Sequence, residues 1–212
     1  MAKTWTALAA SALLLAGVTT AQAHPHVYVT HAATVVFDKG AITGIDQVWY
    51  FDEFYTAMAV EGLDTNKDGI FSRDELHELA KTNMEGLKEF GYFTFPTLAG
   101  KEAKLADPPD YWMEHKDGIL SLHFRTPLAT PVPAATKGFA FSIYDASFFI
   151  AFDFVPKDAV KLGSGAPQGC KLAVGAPGAE AEQTKQLSGA FSQQLGVGPS
   201  GGVTQTISVS CP

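Results

Sequence analysis

Residues 64–75 read Asp-Thr-Asn-Lys-Asp-Gly-Ile-Phe-Ser-Arg-Asp-Glu, and no other stretch restricts the chain's folding choices as much. Oxygen-bearing side chains recur at alternate and then wider places: Asp64, Asn66, Asp68, Ser72 and Glu75. Between them Ile70 offers its backbone carbonyl, and Gly69 stands where the run must turn sharply. A hard divalent cation gathers about 6–8 oxygens at roughly 2.3–2.6 Å, and only a tightly coiled segment brings alternate residues onto one point. Glu75 is long enough to reach back from a following helix and bind through both oxygens, which suits Ca2+ better than the smaller, octahedral Mg2+. The expected calcium ligands are therefore Asp64, Asn66, Asp68, Ile70, Ser72 and Glu75.

The flanks agree with this reading. Residues 52–63 and 73–90 carry helix-like apolar spacing, with Phe54, Met58, Leu76, Leu79, Leu87 and Phe90 among its members. The whole resembles an EF-hand helix-loop-helix, placed at about residues 52–90. Such hands usually pair through the eighth loop position, here Phe71, and the chain offers no second loop. The faces carrying Phe54, Met58, Leu76 and Leu79 are thus expected to pack on the rest of the chain or on another subunit.

Around this insertion the pattern is β. Residues 27–37 alternate so that Val27, Val29, His31, Ala33, Val35 and Phe37 share one face. A turn at 38–40 leads to a second strand at 42–51, which feeds the first helix. Further strands are expected at 92–95 and 101–105. Residues 111–115 and 119–125 flank Asp117-Gly118, a hairpin whose register puts His115 and His123 on opposite faces. Pro127, Pro131 and Pro133 suggest a connection, and Phe-rich segments 139–144 and 148–155 suggest a strand pair joined near Asp145, a turn residue. Glycine-rich loops at 163–178 and 196–202 enclose a candidate helix at 179–195, and 203–209 alternates as a last strand. The predicted class is α+β: an antiparallel β-sandwich or curled sheet over one domain, 24–212, with the helical insertion.

The first 23 residues read as a signal peptide: Lys3 before an apolar run at 8–18, then Ala21-Gln22-Ala23 as a small-x-small cleavage site. Cys170 and Cys211, the two cysteines of the chain, are then expected to pair in an oxidising compartment. With 15 Lys and Arg against 22 Asp and Glu, the net charge is −7, which argues against nucleic acid or an anionic membrane as partner.

Cleavage after Ala23 would start the mature chain at His24-Pro25-His26. In an extended strand His24 and His26 point the same way and could share Zn2+, Ni2+ or Cu2+; the free amine would add a third nitrogen. No G-x-S-x-G, phosphate-binding loop, H-E-x-x-H or Cys/His pair occurs, so no enzyme activity is expected.

Leader, mature His-Pro-His, Trp49-Tyr50-Phe51-Asp52-Glu53 before the acidic loop, Tyr92-Phe93-Thr94 and Ile143-Tyr144-Asp145 occur in that order. In this the chain resembles a bacterial family of unknown function described as periplasmic components of an uncharacterised ABC-type transport system. The resemblance implies a periplasmic protein linked to metal-ion handling, with an inner-membrane transporter as partner. The leading expectation is a calcium-binding accessory or substrate-binding-like protein of such a system. A copper enzyme using a His24 brace and a purely structural calcium-stabilised module are the alternatives.

Overall fold

The computed structural model describes residues 26–147, 149–175 and 205–212. The expected leader, His24 and the expected helix at 179–195 lie outside the described residues. Strand β1 (Val27–Asp38) buries every second residue, the six from Val27 to Phe37 expected from the alternation. Lys39 and Gly40, both with positive φ, form the tight turn into β2 (Ala41–Phe51).

Two sheets face each other across an apolar core. The first follows the order β5 (Tyr111–Lys116), β6 (Ile119–Pro133), β2, β1, β8 (Ile150–Phe154), with β9 (Val160–Leu162) also on β1. The second follows β10 (Lys171–Gly175), β11 (Thr206–Ser210), β7 (Phe139–Ile143), β3 (Thr94–Leu98), β4 (Lys101–Glu102). Val35, Ile45, Trp49, Leu122 and Phe124 fill the core from one side; Phe139, Phe141 and Ile207 fill it from the other. Neither sheet closes, and the arrangement is sandwich-like.

The helical insertion sits between β2 and β3 as α1 (Glu53–Ala59) and α2 (Arg73–Glu89). Helix α1 is shorter than its apolar pattern implies, ending at Ala59 with Val60 as its C-cap. Among the described residues no helix is long and apolar enough to cross a membrane.

Three expectations need correction. The sheets are not purely antiparallel, because β8 and β9 run parallel to β1. The Phe-rich segments are not partners: β7 lies in the second sheet and β8 in the first, the chain crossing between them at Asp145. Its carboxylate accepts from the Ser147 and Ile150 backbone N–H groups and holds the crossover, so its turn role stands. Finally, Pro127, Pro131 and Pro133 belong to β6 rather than to a connection after it. Beyond Phe124 the strand has left its β5 partner, and Pro127 faces Gly44 where the β2 register shifts. A Cβ on Gly44 would come 2.8 Å from the Thr126 carbonyl, so this close crossing needs glycine.

Candidate metal centre

Asp52 starts the insertion. One carboxylate oxygen caps α1 by accepting from the Tyr55 N–H, and the other accepts from the Tyr28 N–H of β1, each at 2.8 Å. The Thr56 hydroxyl, buried on the inward side of α1, accepts from the Leu120 N–H of β6 at 3.1 Å. The Tyr55 hydroxyl donates to Asn83 of α2 at 3.1 Å. Helix α1 is thus pinned to both sheet strands and to its partner helix.

This placement settles the helix faces. Leu76, Ala80 and Met84 of α2 are buried, and Leu79 packs against the core. Phe54 and Met58 are not covered: they are 77% and 59% exposed. The short helix turns Thr56 inward, and a residue two places away lies about 200° round the axis, so Phe54 and Met58 point outward.

Within the loop, the side-chain oxygens of the first half turn onto the loop's own backbone. Asp64 accepts from the N–H groups of Asp68 and Gly69, Asn66 from Asp68, and Asp68 from Ile70, at 2.7–3.2 Å. Gly69, at φ +79°, and Lys67, at φ +60°, supply the left-handed steps that make the coil. Glu75 closes the second half. Its Oε2 accepts from the Ser72 N–H and hydroxyl, and its Oε1 from the Thr65 N–H and hydroxyl. Ser72 in turn caps α2, completing a capping box. These donors, those of Ser72 foremost, hold the Glu75 carboxyl down at about 2.

Among the described residues no three His, Cys, Asp or Glu side chains gather as a metal-binding group. Of the four loop residues of those types, Asp64, Asp68 and Glu75 belong to the expected ligand set and Asp74 does not, and Glu75 is drawn to Ser72 and Thr65. Asn66, Ser72 and the Ile70 carbonyl, half of the expected set, are neutral oxygens of the kind calcium accepts. The donor set therefore fits a hard cation in its chemistry.

The loop also docks on the hairpin. Phe71 meets the His115 ring edge to face, centroids 4.7 Å apart. The Arg73 guanidinium lies 4.8 Å from the centre of the Trp112 ring, which stacks on His123 at 4.9 Å. His123 Nε2 is 3.0 Å from the Ser121 hydroxyl, and burial lowers the pKa of this imidazole despite the nearby Glu114 carboxylate. The hairpin register pairs Trp112 with His123 and His115 with Leu120, so the two histidines do sit on opposite faces.

His26 lies on the outer face of the first sheet, its ring 4.8 Å from Phe149. His31 is a site that motif reading missed, although alternation had placed it inward. It is 3% exposed, lies beside Phe154 and has no hydrogen-bond partner for Nδ1 among the described residues. A small cleft there is lined by His31, Ile143, Phe152, Asp153, Phe154 and Gln205. Cys170 and Cys211 are joined, one step beyond the paired residues Lys171 and Ser210 of β10 and β11. The bond is compatible with an exported protein.

The sequence profile of a protein family of unknown function (DUF1007) matches residues 9–211, and the chain belongs to that family. It is similar to an "Uncharacterized protein" of Haemophilus influenzae, 22% identical over 144 residues, which cover 67% of this chain and 68% of the relative. It is also similar to an "Uncharacterized 15.5 kDa protein in trpE 3'region" of Spirochaeta aurantia, 31% identical over 99 residues, or 47% of this chain and 70% of the relative.

Proposed function

We propose that this member of the family is an exported, calcium-holding accessory protein of a metal-ion transport system. The observation that carries the reading is the coil in which Asp64, Asn66 and Asp68 turn their oxygens inward onto loop N–H groups. Asp64, Asn66, Asp68, Ser72, Glu75 and the Ile70 carbonyl would hold the ion. Bound calcium supplies a cross-link between α1 and α2 by neutralising three carboxylates in one coil.

The loop is expected to stabilise rather than to switch. Helix α1 is pinned at Asp52, Thr56 and Tyr55, which leaves little freedom to swing open. Exported calcium modules bind at about 10⁻⁴–10⁻³ M, and the signal-peptide pattern of residues 1–23 and the disulfide support a periplasmic location. The link to transport rests on the order of short motifs that the chain shares with proteins so described. His24 and His26 at the processed terminus would be the place to offer Zn2+, Ni2+ or Cu2+.

Metal titration of the processed chain tests the reading. Stoichiometric calcium with a raised melting temperature supports it, and a melting temperature indifferent to calcium overturns it. Stoichiometric, redox-active copper that requires a free His24 amine would favour a copper enzyme instead.

A further inference from the structure

We infer that the β5–β6 hairpin sets how tightly the loop holds calcium, taking the structural place that a second loop takes in a paired hand. This rests on the calcium reading above. Docking residues and expected ligands interleave along the loop. Phe71 lies between Ile70 and Ser72, and Arg73 lies between Ser72 and Glu75. Both docking side chains reach the hairpin, Phe71 on His115 and Arg73 on Trp112.

The second half of the loop therefore has a support that the first half lacks. Asp64, Asn66 and Asp68 are fixed by bonds to the loop's own backbone. The half that contributes Ile70, Ser72 and Glu75 also bonds within the loop, through Glu75 to Ser72 and Thr65, and is in addition fixed against a strand. That strand is firm: Met113 is buried, and β5 pairs with β6 along its whole length. Trp112 is itself backed by the half-buried His123 ring, stacked within 9° of parallel. The Ile70 side chain points to solvent, 66% exposed, and adds no anchor of its own.

An isolated loop must order itself when it binds an ion, and each immobilised segment weakens the affinity. A loop whose second half already rests on a rigid platform avoids much of that cost. Trp112 and His115 are then positioning residues that never meet the ion. Coupling of this kind is reciprocal, so calcium must also steady the hairpin by the same factor.

The test is calorimetric calcium titration of the full processed chain, as wild type, Phe71→Ala, Trp112→Ala and Trp112→Phe. Loss of one aromatic or cation–π contact from the platform should raise Kd about tenfold in each alanine variant. Trp112→Phe keeps a ring under Arg73 and should restore Kd to within about threefold of wild type. A purely structural role would not give that rescue at equal calcium-free stability. Should Trp112→Ala not fold, Arg73→Gln breaks the same contact from the exposed side and should weaken binding alike. Unchanged Kd in folded variants overturns the inference and leaves the calcium reading standing. Absence of calcium heat in the wild type overturns both.

Discussion

Gln47 of the first sheet donates through Nε2 to the Thr94 hydroxyl of the second at 2.8 Å, a polar rivet through an apolar core. The same amide nitrogen donates to Thr126, and its Oε1 accepts from the Trp49 indole N–H at 3.0 Å. Thr94 and Thr126 pass their own protons to the Tyr92 and Ile45 carbonyls, so the amide and both hydroxyls are all partnered. Gln47→Leu keeps the volume but strands the indole N–H. It should cost about 1–3 kcal/mol in urea unfolding, since a buried donor then stays unpaired. A neutral or stabilising result would show that the network contributes no stability.

The buried imidazole of His31 makes stability depend on pH in a definite direction. Burial lowers its pKa from 6.5 to about 4. The unfolded chain therefore binds the proton more readily than the folded one between those values. Stability that is intact above about pH 6.5 falls as pH drops toward 4, by up to about 3 kcal/mol. The difference between wild type and His31→Leu, measured by urea unfolding at pH 7 and pH 4.5, isolates this contribution from the carboxylates. A difference that does not change with pH would rule out the charge of His31 as its cause.

Much of this molecule is legible in its sequence, and the exceptions have physical reasons. Alternation in β1 assigns all six inward residues because one face is buried along the whole strand. The Asp117-Gly118 turn fixes the hairpin register because both residues adopt positive φ there. Alternation says nothing, however, about which strand lies alongside. Phe141 and Phe152 show the same pattern, yet one core layer receives them from opposite sheets. The prolines of β6 mislead because the strand has left β5 before Pro127, so no ladder bond is lost to β5. In the loop, the spacing of Asp64, Asn66 and Asp68 foretells their inward turn. The docking of Phe71 on His115 joins residues 44 positions apart, and no local pattern encodes it.

The Cys170–Cys211 bond should matter most to the second sheet, since it closes the outer ladder of β10 and β11. Cross-linking residues 41 apart removes denatured-state entropy worth about 4 kcal/mol on the chain-entropy account. The Cys170→Ser, Cys211→Ser variant should lose stability of that order. Hydrogen exchange should quicken first in β10 and β11 while β1 and β2 stay protected. Uniform quickening in both sheets would mean that the bond steadies the whole body instead.

Glu75 has two tasks that one substitution can separate. Its carboxylate closes the capping box with Ser72 and reaches the Thr65 N–H, and it is also the expected final calcium ligand. Glutamine at this helix position still supports the capping-box bond to the Ser72 N–H but, with a single oxygen, gives up the Thr65 donors, so Glu75→Gln should lower calcium-free stability less than it lowers the calcium gain. What it lacks is the charge and the two equivalent oxygens that a calcium site takes from its last residue. In the parent protein, calcium at 100 times Kd should add about 2.7 kcal/mol, equivalent to roughly 5–10 °C in Tm for a chain of this size. Most of that gain should vanish in Glu75→Gln. Ser72→Ala should behave differently, losing about 1 kcal/mol even without calcium because the helix cap goes with the hydroxyl. Thermal melts of the three proteins with calcium and with chelator give the comparison. Equal calcium gains in parent and Glu75→Gln would remove Glu75 from the ligand set and leave it as a cap alone.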